Sequence, residues 1–201
     1  YSIPIHSVSP KTLDEKTQTS QHQGVAVTRQ AYTVGNENDL KSWLEQKNNQ
    51  KKLFLILDNV QDPHNLGACF RTADAAGIDG IIVPKDRSVN LTSSVCKVAS
   101  GAVETVPFYS VTNLARTLRT LKEFDIWIYG LDERANQTIY QTEFASSSAL
   151  VMGAEGEGLR ENTRKHCDQL VKIPMLGSVE SLNVSVATAI SLFEIVRQRN
   201  L

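Results

Sequence analysis

The apolar run Leu53–Leu57, LFLIL, most constrains what this chain can become. A strand with no polar residue on either face has to be covered on both sides, as strands are in a parallel sheet sandwiched by helices. Parallel neighbours need long crossover connections, and the residues that follow supply them. Further short apolar strands are expected at Ile81–Val83, Val106–Tyr109, Ile126–Tyr129, Leu150–Met152 and Leu170–Ile173. Between them lie helical patterns: Asn65–Ala76 ending at Gly77, Leu91–Ala99, a helix capped by Thr112 or Asn113, Arg160–His166, and a long one running to the C-terminus. The helix after Asn113 repeats Leu114, Leu118, Leu121 and Phe124 at helical spacing. The expected fold class is α/β, a mostly parallel sheet sandwiched by helices.

Residues before this alternation read differently. Residues 1–28 offer a short helix near Leu13, a turn at Gln21–Gly24 and a short strand Val25–Val27, too little to bury a core. They read as the end of a separate domain whose start is absent. Residues 29–50 are polar and read as a linker, with a helix around Leu40–Gln46 that turns Trp43 and Leu44 inward. Residues 51–201 form the main domain.

Composition narrows the function classes. With 41% hydrophobic and 21% charged residues the chain is ordinary globular protein. A net charge of −1 gives no basic excess to announce nucleic acid, so any RNA-binding surface has to be local. Cys69, Cys96 and Cys167 are far apart, with neither metal-ligand spacing nor a disulfide framework, and point to a reducing compartment. No metal site is expected. No apolar run approaches membrane-spanning length, and no signal peptide is visible.

Ligands of open parallel sheets bind beyond the C-terminal strand ends, and three such ends carry unusual residues. The first, Asp58 to Gly77, places Asn65 at a helix start and Arg71 six residues later, with Gly67 leaving room for close approach. Arg71 has no carboxylate at i±4. Asp74 at i+3, or a core carboxylate, is the structural alternative for it. The second, Val151–Leu159, sets Glu155 and Glu157 between Gly153, Gly156 and Gly158. Its glycine order is the reverse of a dinucleotide fingerprint, and two carboxylates repel a pyrophosphate, which rules out that site. A plain glycine-rich turn remains the alternative. The third runs from Pro174 to Asn183, where Glu180, Ser181 and Asn183 meet the last helix. Asn183 is equally well read as that helix's N-cap. Together an arginine, a glutamate beside glycines and a Ser/Asn pair suggest a small-ligand site with acid–base capability.

At these loops the motifs DPHNLGACFRTADAAG, LVMGAEGEGL and IPMLGSVESLNVSVATAISLFE closely resemble those of the SpoU (TrmH-like) family of RNA ribose 2′-O-methyltransferases, in the trefoil-knot superfamily. The likeness spans about Leu53 to Arg199. IIVPKDRS at Ile81–Ser88 and the terminal VRQR resemble its branch acting on guanosine in bacterial 23S ribosomal RNA. HQGVAV at His22–Val27 looks like the end of that family's N-terminal RNA-binding domain.

The resemblance implies a C-terminal trefoil knot, a cytoplasmic homodimer joined through the knot region, and S-adenosylmethionine bound in the knot. By position it implies cofactor contacts at Gly153, Ile173 and Leu182, with Met152, Gly156 and Met175 nearby. It implies catalytic roles for Arg71, Asn65, Glu155, Ser181 and Asn183. Lys85, Arg87, Lys97, Arg116 and Arg119 are the expected RNA contacts, or else scattered solvated charge. The substrate expected is 23S ribosomal RNA. A tRNA guanosine 2′-O-methyltransferase is the alternative, and a non-catalytic RNA-binding relative a further one. Val186, Ile190 and Phe193 form an apolar stripe on the last helix, read either as dimer interface or as intrachain core.

Overall fold

The computed structural model of the chain describes residues 4–28, 32–47, 49–86, 88–154 and 156–199. The chain divides into two compact units, Tyr1–Ala31 and Tyr32–Leu201. In the first, α1 (Pro10–Thr17) starts at an N-cap, Ser9, whose side chain accepts from the Thr12 amide. His22 bonds the Asp14 carboxylate at 3.0 Å. Val25–Val27 is not a strand: among the described residues it pairs with no neighbouring strand, and Val25 and Val27 are exposed. The turn before it is present, with Gln23 and Gly24 both at positive φ.

The second unit starts earlier than polarity suggested. Residues 32–50, expected as linker, contribute α2 (Glu37–Gln46) to it, with Leu40 and Leu44 buried. Asn36 and Asp39 form a reciprocal capping box at its start. Then follow β1 (Leu53–Leu57), α3 (Pro63–Ala75), β2 (Gly80–Pro84), α4 (Ser93–Ala99) and a 3₁₀ turn Ala102–Glu104. The chain continues as β3 (Phe108–Val111), α5 (Leu114–Glu123), β4 (Trp127–Leu131), β5 (Gln137–Thr138) and β6 (Ser148–Met152). It ends with α6 (Glu161–His166), β7 (Gln169–Lys172) and α7 (Val184–Arg199).

Among the described residues the strands form one seven-stranded sheet in the order β3-β2-β1-β6-β4-β7-β5. Every strand pair in it is parallel. Period-two alternation divides its side chains between two cores. Leu53, Leu55, Leu57, Ile81, Leu150 and Met152 face one, with α3, α4 and α7. Phe54, Ile56, Ile82, Ala149 and Val151 face the other, with α2 and α5. The whole of β1 is buried, and each such leucine or isoleucine contributes about 1.5–3 kcal/mol.

Two helices show how the local sequence sets position. α3 begins two residues before the expected Asn65, because Pro63 suits the first helical turn and Asp62 caps it through the His64 amide. The room left by Gly67 is filled by α4: a Cβ there would lie 2.7 Å from the Val98 Cβ. α7 crosses the full depth of the sheet, about 24 Å at helical rise. At its far end the Arg199 guanidinium donates to the Lys52 carbonyl at 2.6 Å and to Ser148 Oγ at 3.1 Å. Among the described residues no helix is long and apolar enough to cross a membrane.

Candidate active site

Strands β4, β6 and β7 end side by side, and the loops leaving them enclose a cavity of about 290 Å³. Leu131, Asp132, Glu133 and Arg134 line it from β4, Met152, Gly153, Ala154 and residues 156–158 from β6, and Lys172, Ile173, Met175, Glu180, Ser181 and Leu182 from β7. Val184 and Ala187 of α7 close one side, and Arg164 of α6 reaches in. Met152, Gly153, Gly156, Ile173, Met175 and Leu182, singled out above as cofactor contacts, therefore surround one space together with Ser181.

The glycine loop has a packing reason for its composition. Ala154 and Gly158 pair across it, the Gly158 amide donating to the Ala154 carbonyl at 2.9 Å. The returning strand lies on Gly153, where a Cβ would meet the Gly158 carbonyl carbon at 2.1 Å. Gly156 and Gly158 adopt φ of +80° and +67°, the left-handed region that suits glycine. The loop is also braced from below. The buried Asp58 carboxylate, just past β1, pairs with Arg160 and accepts from Thr163 Oγ1 at 2.6 Å. The Asp58 amide donates to the Met152 carbonyl at 2.8 Å.

The cavity rim carries both signs of charge. Arg164 Nε donates to the buried Asp132 carboxylate at 2.7 Å, and its Nη1 to Glu161 at 2.8 Å. Asp132, Glu133, Arg134 and Lys172 were missed in the sequence, although Asp132–Arg134 directly follow an apolar strand, the position where ligands collect.

Asn65 and Asn183 meet. The Asn183 side-chain amide donates to Asn65 Oδ1 at 2.9 Å, and Asn65 is only 8% exposed. Asn183 Oδ1 meanwhile accepts from the Ser185 amide at 2.9 Å and the Ser185 hydroxyl at 2.6 Å. Asn183 thus caps α7 and clamps α3 with opposite ends of one amide. Asn65 lines a second cavity of about 270 Å³, with Asn59, Val60, Gln61 and Asp62, which shares Ala154, Glu157 and Val184 with the first.

Arg71 is not brought into either cavity. It is exposed on α3, about 120° around the helix from Asn65 and about 9 Å along it. Among the described residues it has no hydrogen bond or ion pair, and Asp74 bonds Thr105 instead. Glu155 and Arg87 lie outside the described residues. Lys85, Lys97, Arg116 and Arg119 are all exposed. They do not form one patch, because α4 with Lys97 and α5 with Arg116 and Arg119 cover opposite faces of the sheet. Burial pushes the Cys69 and Cys167 thiols up to about 12, so neither is a nucleophile at neutral pH. Among the described residues no group of three or more His, Cys, Asp or Glu could hold a metal ion.

Comparison with known proteins gives this geometry a family. Residues 52–193 match the SpoU rRNA Methylase family. The chain is 58% identical over 198 residues to the 23S rRNA (guanosine-2′-O-)-methyltransferase RlmB of Haemophilus influenzae, covering 98% of this chain and 80% of that protein. The crystal structure of the SpoU methyltransferase AviRb from Streptomyces viridochromogenes in complex with AdoMet is similar at a TM-score of 0.71 and 29% identity. That match covers 75% of this chain and spans 59% of the other. The A. aeolicus TrmH/SpoU tRNA modifying enzyme matches at a TM-score of 0.67 and 28% identity, over 82% of this chain and 84% of its own. The chain belongs to the SpoU rRNA Methylase family.

Proposed function

We propose that this chain methylates a ribose 2′-hydroxyl of guanosine in 23S ribosomal RNA, with S-adenosylmethionine as donor. One observation carries the reading: all three motif loops face a pair of adjoining cavities, one of them walled by the residues expected at the cofactor. The relative with 58% identity bears the same activity in its name, and AviRb was crystallised with AdoMet. The larger cavity suits that molecule chemically. Met152, Ile173, Leu182 and Ala187 offer an apolar wall for a flat base. Asp132, Glu133 and Glu180 offer acceptors for hydroxyl and amino groups, and Arg134 and Lys172 donors for a carboxylate. S-adenosylmethionine supplies an electrophilic methyl group on a sulfonium.

The chain's own residues would then position the hydroxyl and manage its proton. Asn65, held by Asn183, presents a fixed amide at the second cavity. Ser181 stands on the wall of the first. In this reading Arg71, although outside both cavities, takes part from the exposed face of α3, steadying a phosphate or a developing alkoxide of the bound RNA, since an arginine stays protonated. Glu155 would hold Asn65 or Arg71 in place. Placing the two reactants together contributes much of the rate.

The same reading includes the trefoil knot, with α7 drawn through a loop, and a cytoplasmic homodimer joined along α7. Val186 and Phe193 support the dimer: they are 46% and 47% exposed on one face of that helix, while Ile190 is partly buried against the core. Lys85, Arg87, Lys97, Arg116 and Arg119 remain the proposed phosphate contacts. Residues 1–28 would be the end of an RNA-binding domain.

The test is methyl transfer from labelled S-adenosylmethionine to unmodified 23S ribosomal RNA and, separately, to unmodified tRNA, with Arg71→Ala beside the native chain. Label in 23S ribosomal RNA, lost with Arg71→Ala, is the expected result. Label in tRNA alone overturns the substrate and keeps the chemistry. No label in either, with the cofactor still bound, overturns the enzymatic reading.

A further inference from the structure

The second cavity has a chemistry of its own. Its side chains include two carboxylates, Asp62 and Glu157, and the amides of Asn59, Gln61 and Asn65. No lysine, arginine or histidine lines it among the described residues. A phosphate is therefore repelled, and a neutral group rich in N–H donors is favoured. The amides are arranged in series. Gln61 Nε2 donates to Asn59 Oδ1 at 3.0 Å, and Asn59 Nδ2 points to Glu157 Oε2 at 3.5 Å. Asn59 keeps a φ of +70°, one of the few non-glycine residues to do so, as Asn tolerates the left-handed region better than most. Asp62 is occupied as the α3 cap, through the His64 amide at 3.0 Å. Asp62 Oδ1 is held by that cap, whereas among the described residues Glu157 receives only the long Asn59 contact and keeps acceptor capacity on both oxygens. Glu157 is exposed, between Gly156 and Gly158.

Position adds a second argument. A methyl donor and its acceptor hydroxyl have to approach within about 3–3.5 Å. The acceptor nucleotide must then occupy space that adjoins the cofactor cavity, and the second cavity shares Ala154, Glu157 and Val184 with it.

We propose that the second cavity receives the acceptor's guanine base, turned out of its stack, and that Glu157 reads its Watson–Crick edge, with Asn59 and Gln61 supplying the donor for O6. Enzymes acting on one nucleotide commonly read an extruded base by that edge. Guanine alone places two donors, N1–H and the 2-amino group, side by side next to an acceptor. A carboxylate flanked by a primary amide is the complement of that pattern. Adenine and cytosine present one amino donor beside acceptors, and uracil one N–H between two carbonyls. The inference rests on the methyltransferase reading and assigns the residues that choose the base.

The test compares two RNA fragments identical except at the methylated position. One carries guanosine, the other inosine, which lacks the 2-amino group. Native chain and Glu157→Gln are assayed on both, and S-adenosylhomocysteine affinity is measured alongside. The native chain is expected to favour guanosine by roughly ten-fold or more in kcat/KM. Glu157→Gln is expected to lose most of the guanosine rate and bring the ratio of the two substrates close to one. A Glu157→Gln protein that keeps the native ratio overturns the assignment, whatever its absolute rate. So does a native chain that methylates both RNAs equally. A native chain that methylates neither overturns the methyltransferase reading itself, and the base assignment with it.

Discussion

Asn183 meets Asn65 across 118 residues of sequence, its side-chain amide donating at 2.9 Å to Asn65 Oδ1 while its own Oδ1 caps α7. Stability and activity should separate at this residue. Asn183→Asp keeps the capping acceptor and loses the donor to Asn65. Its thermal midpoint should stay near the native value while methyl transfer falls steeply. Asn183→Ala loses both, and should cost about 1 kcal/mol in stability as well. Equal activity loss without any stability difference between the two would sink the two-role account.

Gly153 has no room for a methyl group, since the loop from Ala154 to Gly158 folds back on it. Gly153→Ala must push that loop off its seat. Overpacking of this kind costs about 1–3 kcal/mol, so S-adenosylhomocysteine should bind roughly ten-fold more weakly or worse. Isothermal titration checks it, and native affinity in the variant would refute the close-packed loop as a cofactor wall.

Asp79 sits at the opposite, N-terminal end of the strands, where it accepts from the Leu53 amide at 2.7 Å. Burial raises its pKa above the ordinary 3.8, against the opposing pull of the Leu53 bond, Arg199 and Lys52. The native state therefore holds this proton more tightly than the unfolded chain does. Its contribution is fully present below about pH 3.8, declines as pH rises through the native pKa, and is constant above it. Asp79→Asn keeps an acceptor for Leu53 and removes that slope. Urea midpoints of the two proteins between pH 4 and 7 should diverge in the variant's favour as pH rises; parallel curves would contradict the assignment.

The thiols of Cys69 and Cys167, raised to about 12 by burial, should resist iodoacetamide at pH 8 in the native protein. Unfolding in guanidinium should expose all three cysteines. Rapid native alkylation of Cys69, read by peptide mass, would mean that α3 and α7 separate readily.

Much of this could be read from the residues alone. β1 was located to the residue because an unbroken apolar run has one plausible fate. Gly153, Ile173 and Leu182 were named by the family resemblance rather than by any local pattern, and they line one cavity. β3 came two residues later than its apolar pattern, since Val106 packs in the core from a loop position. β5 was missed: Gln137–Thr138 is a short polar edge strand with nothing apolar to announce it. Strand order was beyond reach, because no local pattern says that β6 enters between β1 and β4. Asp132 looked like loop polarity, and its ion pair with Arg164 exists only once α6 folds over it. Arg71 stood close to Asn65 in sequence, yet helix geometry turns it away.

The place of α7 has a consequence for how the protein is made. Val184 and Ala187 wall the larger cavity, Asn183 fixes Asn65, and Arg199 fastens the far end of the helix to Lys52 and Ser148. Every strand can be synthesised and paired before any of these contacts exists. A nascent chain cut short before Asn183 would possess the sheet without the pocket. The pocket is therefore completed by α7, after every strand of the sheet has been made.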